Sequence, residues 1–312
     1  MRTTRQTVNA AAGVLTSLVI ACGPAFGQTA TPQAKNGGYS IFTGTIADMT
    51  YTAYAAEIKS GAIGLWGLGV IEEHGPHLPL ASDVYIPSAV LNMVRERLAA
   101  GNIKSVTVPP FYWGVNQVTS AFPGTMNIRP EVMVELMQDV FRSLKKDGLT
   151  TLFCISGHND VAHNRAIYDG VARARADAAL AGFNVYFVTD PAMLERLNLT
   201  AQSPGIAVAD KMPRPPAGPY FDVHAGAGET SMMWSTVPDV VAVGEIAKLK
   251  PNLIDAAALA EWRKGGENAL RVTPDGYTGD LSKASPEIGA RIVTGRADAI
   301  AEAIRVQMAG GK

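Results

Sequence analysis

Unbroken apolar runs alternate along this chain with amphipathic, helix-length segments, and that alternation limits its folds more than any other feature. Residues 62–70 (AIGLWGLGV), 103–114 (IKSVTVPPFYWG), 149–156 (LTTLFCIS) and 183–190 (FNVYFVTD) read as strands. The first has no polar side chain, as expected of a strand covered on both faces. Between and around them, residues 49–61, 86–101, 129–148 and 161–182 carry helical patterns, and most of these stretches end on glycine. Two further helices are expected, one starting near 226 and one over 285–309. In the latter, Ser285 is placed as N-cap and Pro286 at the first helical position. The pattern predicts an α/β fold, a mostly parallel central sheet with helices on both faces. The second strand is expected to stop at Pro109 and Pro110. Residues 198–222, rich in Pro and Ala, are read as an ordered loop over the site.

The first residues stand outside that pattern. MRTTRQ carries two arginines, a short apolar run follows, and then small residues up to Gly27. This is the order of an export signal, and residues 1–27 are expected to be a signal peptide, followed by a polar tether over 28–38. The apolar run is too short for a good membrane span. Cys22 in VIAC also fits lipoprotein processing, so a lipid anchor there is the competing outcome. The destination is then the periplasm or beyond. Residues 39–312 are read as a single domain, and 47% hydrophobic residues suit a large core. With Cys22 gone, Cys154 is the remaining thiol, expected buried and inert, so the fold does not depend on a disulfide. A net charge of −1 advertises no basic patch and argues against nucleic acid as partner.

All five histidines fall in three short polar segments. In GVIEEHGPHLPLASD, Glu72 and His74 sit at i and i+2, on one side of an extended strand end, while Glu73 points the other way. Gly75 and Pro76 turn the chain, and Asp83 returns after a Pro-containing loop. Two carboxylates and an imidazole could thus meet one or two divalent ions. In SGHNDVAHN, His158 leaves the third strand at its C-terminal end and Asp160 comes two residues later. Ligands bind at that end of parallel sheets. His163 and Asn164 lie inside the next helix, where packing is as natural as ligation. In DVHAGAGETSMMW, His224 precedes a Gly-rich turn, a place for a proton shuttle. Glu229, near the helix start, is placed to orient it. No GxSxG elbow, HExxH motif or Gly-rich phosphate loop is present, so a serine nucleophile, a zincin site and a nucleotide cofactor are not expected.

EEHGPHLPLASD, FPGTMNI (122–128), SGHND, HAGAGETSMM and GYTGDLSKASPEIG (276–289) occur in the order of the motifs of the creatininase (creatinine amidohydrolase) family, which the chain resembles over residues 45–308. The resemblance implies a creatininase-like fold and a pair of divalent ions, zinc first, with manganese or iron as alternatives. Glu72, Asp83 and His158 would hold one ion; His74, Asp83 and Asp160 would hold the other, with Asp83 bridging. His224 would be the proton donor. His77, Asn159 and Tyr220 are read as touching substrate or supporting the ligands. The resemblance also implies a small-molecule substrate and a homo-oligomer, a hexamer in many members. Members hydrolyse carbon–nitrogen bonds of small cyclic or linear amides, and one branch opens a sugar lactone. The expected activity is hydrolysis of a small amide or lactam. A lactonase or esterase using the same site is the first alternative, and a non-catalytic periplasmic metal- or solute-binding protein the second. The family often has Gln at Glu73, and creatininase itself has a glutamate at Asp160 and an aromatic at Asn159. The stretch GPYFDV before His224 departs as well, so creatinine itself is not the expected substrate.

Overall fold

The computed structural model describes residues 40–213 and 219–310. The expected export signal and the whole of the tether lie outside the described residues. Five parallel strands form the sheet: β1 (Ile63–Leu68), β2 (Ser105–Phe111), β3 (Thr151–Ser156), β4 (Asn184–Thr189) and β5 (Ile206–Val208), in the order β2-β1-β3-β4-β5. The helices are α1 (Tyr51–Lys59), α2 (Ser82–Ala100), α3 (Pro130–Lys146), α4 (Val161–Ala176), α5 (Pro191–Arg196), α6 (Ala227–Thr236), α7 (Val243–Ile246), α8 (Ala256–Trp262), α9 (Glu267–Val272) and α10 (Pro286–Gly310).

The strand period of two divides the core. Leu65, Phe153, Ile155 and Val188 pack on one face with Val90, Leu91 and Val94 of α2, Met232 and Met233 of α6, and Ile300 and Ile304 of α10. Trp66, Leu68, Leu152, Cys154, Val185 and Phe187 pack on the other with Met133, Met137 and Phe141 of α3 and Ile167 and Val171 of α4. This is the three-layer α/β arrangement with a parallel sheet between helices. Cys154 is buried, and burial pushes its thiol far above the range in which it would react at neutral pH. A third, small cluster joins Phe122 to Ile254, Leu259, Trp262 and Ala269 at the margin of the domain.

Four boundaries differ from the sequence expectation. The second strand runs through Pro109 and Pro110 to Phe111. It is an edge strand, and its pairing with β1 shifts register between Trp66–Val108 and Leu68–Phe111, so the two prolines fall in an irregularity where the ladder is already interrupted. Residues 198–222 contribute β5, a three-residue strand after the turn at Gly205 (φ +80°). β1 stops at Leu68, so Glu72 and His74 lie on an irregular segment beyond the strand. α2 starts at Ser82 and carries Pro87 inside it, which puts Asp83 in the first helical turn rather than at a loop end.

Candidate metal centre

The site lies beyond the C-terminal ends of β1 and β3. α2 reaches it because glycines let its first turn come close. A Cβ on Gly69 would sit 2.1 Å from the Asp83 carbonyl oxygen, and one on Gly157 would sit 2.4 Å from the same atom. The two strand ends therefore hold the N-terminus of α2 against the sheet, with Asp83 aimed into the site.

Glu72, His74, Asp83, His158 and His224 are all buried, and they converge. The ligand atoms of Glu72, Asp83 and His158 lie within 4.8 Å of one another, as do those of His74, Asp83 and Glu229, and those of Glu72, His74 and His224. The first two groups share Asp83. His158 Nδ1 is 2.8 Å from Asp83 Oδ2 and 3.0 Å from Glu72 Oε1. His74 donates Nδ1–H to the Glu72 carbonyl oxygen at 3.2 Å. Its Nε2 is left facing Asp83 Oδ1 at 3.5 Å and Glu229 Oε2 at 3.8 Å, with no hydrogen-bond partner among the described residues. A buried imidazole nitrogen without a partner, its other nitrogen fixed by a carbonyl and its front filled by carboxylates, is the donor geometry a divalent cation requires. The N/O donor set fits zinc, manganese or iron.

Electrostatics point the same way. Burial alone would lower the His74 imidazole, but Asp83, Glu72 and Glu229 override it and push it up to about 10. Burial likewise opposes protonation of His158, yet Glu72 and Asp83 hold it well above its ordinary value. Burial would raise Glu72 and Asp83; the neighbouring histidines hold both below the usual carboxylate range. Buried carboxylates at this density need positive charge beside them, and protons on histidine supply it when cations do not.

The residues expected from the sequence separate into those the structure brings together and those it does not. Asp160 stands apart. Its Oδ1 caps α4 by accepting the Ala162 N–H at 2.8 Å, and its Oδ2 accepts the Gln117 and Val118 N–H groups at 2.9 and 3.3 Å. Glu229, rather than Asp160, lies with His74 and Asp83. It does not orient His224: its Oε2 faces His74 and accepts the Ala225 N–H at 2.6 Å. The carboxylate on His224 belongs to Glu73, which the sequence reading pointed away from the site. His224 Nε2 lies 2.9 Å from Glu73 Oε1 and 2.9 Å from the Glu73 carbonyl oxygen. Both are acceptors, so Nε2 carries a proton and Nδ1 faces inward, 3.9 Å from Glu72 Oε1. Burial would lower this imidazole, but Glu72 and then Glu73 raise it.

His77 is buried and supports from behind, its Nε2 2.8 Å from Thr230 Oγ1; burial and then His74 push it down to about 4. His163 is a packing residue. Its Nε2 donates to the Leu68 carbonyl oxygen at 3.2 Å, and burial followed by His158 lowers it to about 3. Asn164 donates to the carbonyl oxygens of His158 and Asp160 and so fixes that turn. Asn159 and Tyr220 are exposed, without side-chain hydrogen bonds among the described residues. Three further residues enter that the sequence does not single out. Thr119 donates to Glu72 Oε2 at 2.5 Å. Thr278 accepts the Val223 and His224 N–H groups, and the Trp262 ring lies 5.7 Å from that of His224. Nothing local marks Thr119 or Trp262; Thr278 sits within the last of the family-like motifs.

Fold and site together define an α/β protein with a buried candidate centre for metal ions, and the comparisons give its class, a hydrolase acting on carbon–nitrogen bonds. The chain belongs to the creatininase family, whose sequence model, described as creatinine amidohydrolase, matches residues 47–304. It is 25% identical to the creatinine amidohydrolase of Pseudomonas putida, over 85% of this chain and 96% of that one. It is 30% identical to a mycofactocin precursor peptide peptidase of Mycolicibacterium smegmatis, over 75% of this chain and 82% of that one. A crystal structure of creatinine amidohydrolase superposes with a TM-score of 0.61 at 24% identity, covering 85% of this chain and 97% of the other. A variant creatininase of Zn–Zn type (TM-score 0.61, 22% identity, 86% and 99% covered) and a manganese creatininase (TM-score 0.61, 23% identity, 85% and 98% covered) share the fold.

Proposed function

We propose that this protein hydrolyses the carbon–nitrogen bond of a small amide or lactam at a site for two divalent cations. One observation carries the reading: two donor groups share Asp83, and beside them a carboxylate-held histidine turns a free nitrogen inward. Glu72, Asp83 and His158 would hold one cation; His74, Asp83 and Glu229 would hold the other, with Glu229 replacing the Asp160 expected from the motif. Bound there, such cations lower the pKa of a water molecule and polarise a carbonyl. The protein's own part is to hold the ligands, exclude bulk water and move a proton. Thr119 and the His74 Nδ1–H contact fix the Glu72 segment. Glu73 holds the proton on His224 Nε2, which leaves Nδ1 to deliver a proton to the departing nitrogen. Zinc is the first expectation on donor chemistry, then manganese or iron.

His224 also belongs to a third donor group, with Glu72 and His74. Substitution separates ligand from proton donor. Elemental analysis should return close to two metal ions per chain. His224→Asn should retain them while hydrolysis of small amides falls by on the order of 10²–10⁴-fold. Glu73→Gln should show a smaller loss, about 10–100-fold, with metal again retained. Loss of metal from His224→Asn would make His224 a ligand and end its role as proton donor. Turnover of lactones but not of the matched lactams would favour the lactonase alternative. The pattern of residues 1–27 supports export to the periplasm, which sequencing the mature N-terminus tests. The family resemblance supports a homo-oligomer, which light scattering tests.

A further inference from the structure

Beside the metal centre, on the far side of Asp160, lies an open cleft of about 410 Å³. Its walls carry Arg165 from α4, Arg196 from the end of α5, and Arg263 and Lys264 from the turn after α8. Asp160 is the one carboxylate among its lining residues, and both its oxygens already accept backbone N–H groups. Lys264 has a partner in Glu261, and Arg165 reaches Asp169 at 3.7 Å and the Leu197 carbonyl oxygen. Arg196 and Arg263 have no hydrogen-bond or ion-pair partner among the described residues, and Arg196 is partly buried. Its guanidinium is held below its ordinary value by burial and then by the charge of Arg263. Two guanidinium groups without a hydrogen-bond or ion-pair partner face one cleft and raise its local potential, which the charges of Asp160 and Asp190 offset only in part.

Three segments that line the cleft also supply residues to the metal centre. Asp160 is two residues from His158. Val118 lines the cleft, and the next residue, Thr119, donates to Glu72. Arg263 directly succeeds Trp262, whose ring lies against His224. The Gly266 N–H donates to the Val118 carbonyl oxygen at 3.0 Å, tying the two walls together.

We propose that this cleft binds an anionic group through Arg196 and Arg263, and that the group is a carboxylate at the far end of the substrate. The guanidinium fork matches the two oxygens of a carboxylate, and partial desolvation strengthens the pair. The anion site stands on the cleft alone; its use for substrate rests on the amidohydrolase reading above. The substrate class is then an ω-amido acid or a lactam bearing a carboxylate.

The test uses the metal-loaded enzyme, its Arg196→Gln/Arg263→Gln double variant, and Arg263→Gln alone, an exposed position that does not threaten folding. Sodium sulfate titrated calorimetrically is the direct probe. Wild type should bind it, more weakly as chloride rises, and the double variant at least tenfold more weakly still. Equal affinity for wild type and both variants, or no binding by wild type, overturns the site. The second arm compares succinamic, glutaramic and adipamic acids with the matched methyl-ended alkanamides. At least one acid should show a KM tenfold or more below its neutral partner. The double variant should erase that gap with kcat kept and the alkanamide kinetics unmoved. Arginine-dependent sulfate binding with no gap at any chain length refutes the substrate role and identifies a site for free anions. Arginine-dependent binding with no hydrolysis of any compound refutes the amidohydrolase reading and leaves the anion site standing.

Discussion

β1 and β3 lie side by side, and each releases a histidine and a carboxylate two residues apart: Glu72 with His74, and His158 with Asp160. After β1 both side chains enter the metal centre. After β3 only the histidine does. The difference lies in the chain immediately beyond each pair. Beyond Leu68 the chain stays irregular until Ser82, and no helix N-terminus competes for Glu72. Beyond Ser156, α4 starts at Val161, and its free amides draw in the Asp160 carboxylate, as do the Gln117 and Val118 amides across the gap. Carboxylate spacing therefore proposes ligands, and the nearest unsatisfied N–H groups decide among them. The place opposite His74 is taken from a third segment by Glu229, at the start of α6.

The most severe way to break this comparison is to remove the residue both donor groups share. Asp83→Ala should empty the centre of metal and reduce hydrolysis to background, since both proposed cations lose a ligand at once. Full metal occupancy in that variant, by elemental analysis, would dissolve the paired site. Next comes Glu229→Gln. If Glu229 serves where the motif expected Asp160, this variant should lose about one metal ion per chain. Activity should fall by more than the roughly 10–100-fold typical of a residue that only supports a ligand. Unchanged metal content would return that place to Asp160.

Much of this was legible in the sequence, for reasons the structure makes plain. Strands covered on both faces must be apolar throughout, so β1, β3 and β4 announce themselves, and with them the parallel sheet. β5 escapes because three residues carry no period. The start of α2 escapes because Pro87 reads as a first-turn residue when it sits within the helix. At the site, the residue types were visible and most of the converging histidines with them. Their division of labour was not, because Glu73 takes the contact with His224 expected of Glu229, and Glu229 faces His74 instead, through contacts between segments more than 150 residues apart in the chain. The cationic cleft was invisible to a net charge of −1, which averages over the surface and hides four basic side chains drawn from three separate segments.

A gentler test varies pH in chelated protein. His74 is raised from its ordinary value of 6.5 to about 10, because Asp83, Glu72 and Glu229 outweigh burial. A group raised on folding stabilises fully below its unfolded pKa, and that contribution drains away as pH climbs through the folded value. Chelated protein should therefore lose Tm, on the order of 10 °C, between about pH 6.5 and 10. In metal-loaded protein cations replace those protons, and Tm should stay level over the same window. Parallel profiles would mean that the cluster holds protons rather than metal.

The smallest expected effect falls on the side chain that left the centre. Asp160→Ala removes the cap of α4 and leaves three N–H groups, those of Ala162, Gln117 and Val118, without their acceptor. Loss of a helix cap costs about 1 kcal/mol, and unpaired buried amides add roughly 1–3 kcal/mol where water cannot reach them. The cleft beside Asp160 is open, so water can serve part of that need, and a fall in Tm of about 3–8 °C is expected. Metal content should not change. Asp160→Asn is the sharper partner, because an amide offers one oxygen where the carboxylate offers two. Its oxygen can cap Ala162, but its NH₂ then faces the Gln117 and Val118 donors, so it should recover only part of the lost stability. If either variant instead sheds metal with Tm intact, Asp160 is a ligand, and the two strand ends are alike after all.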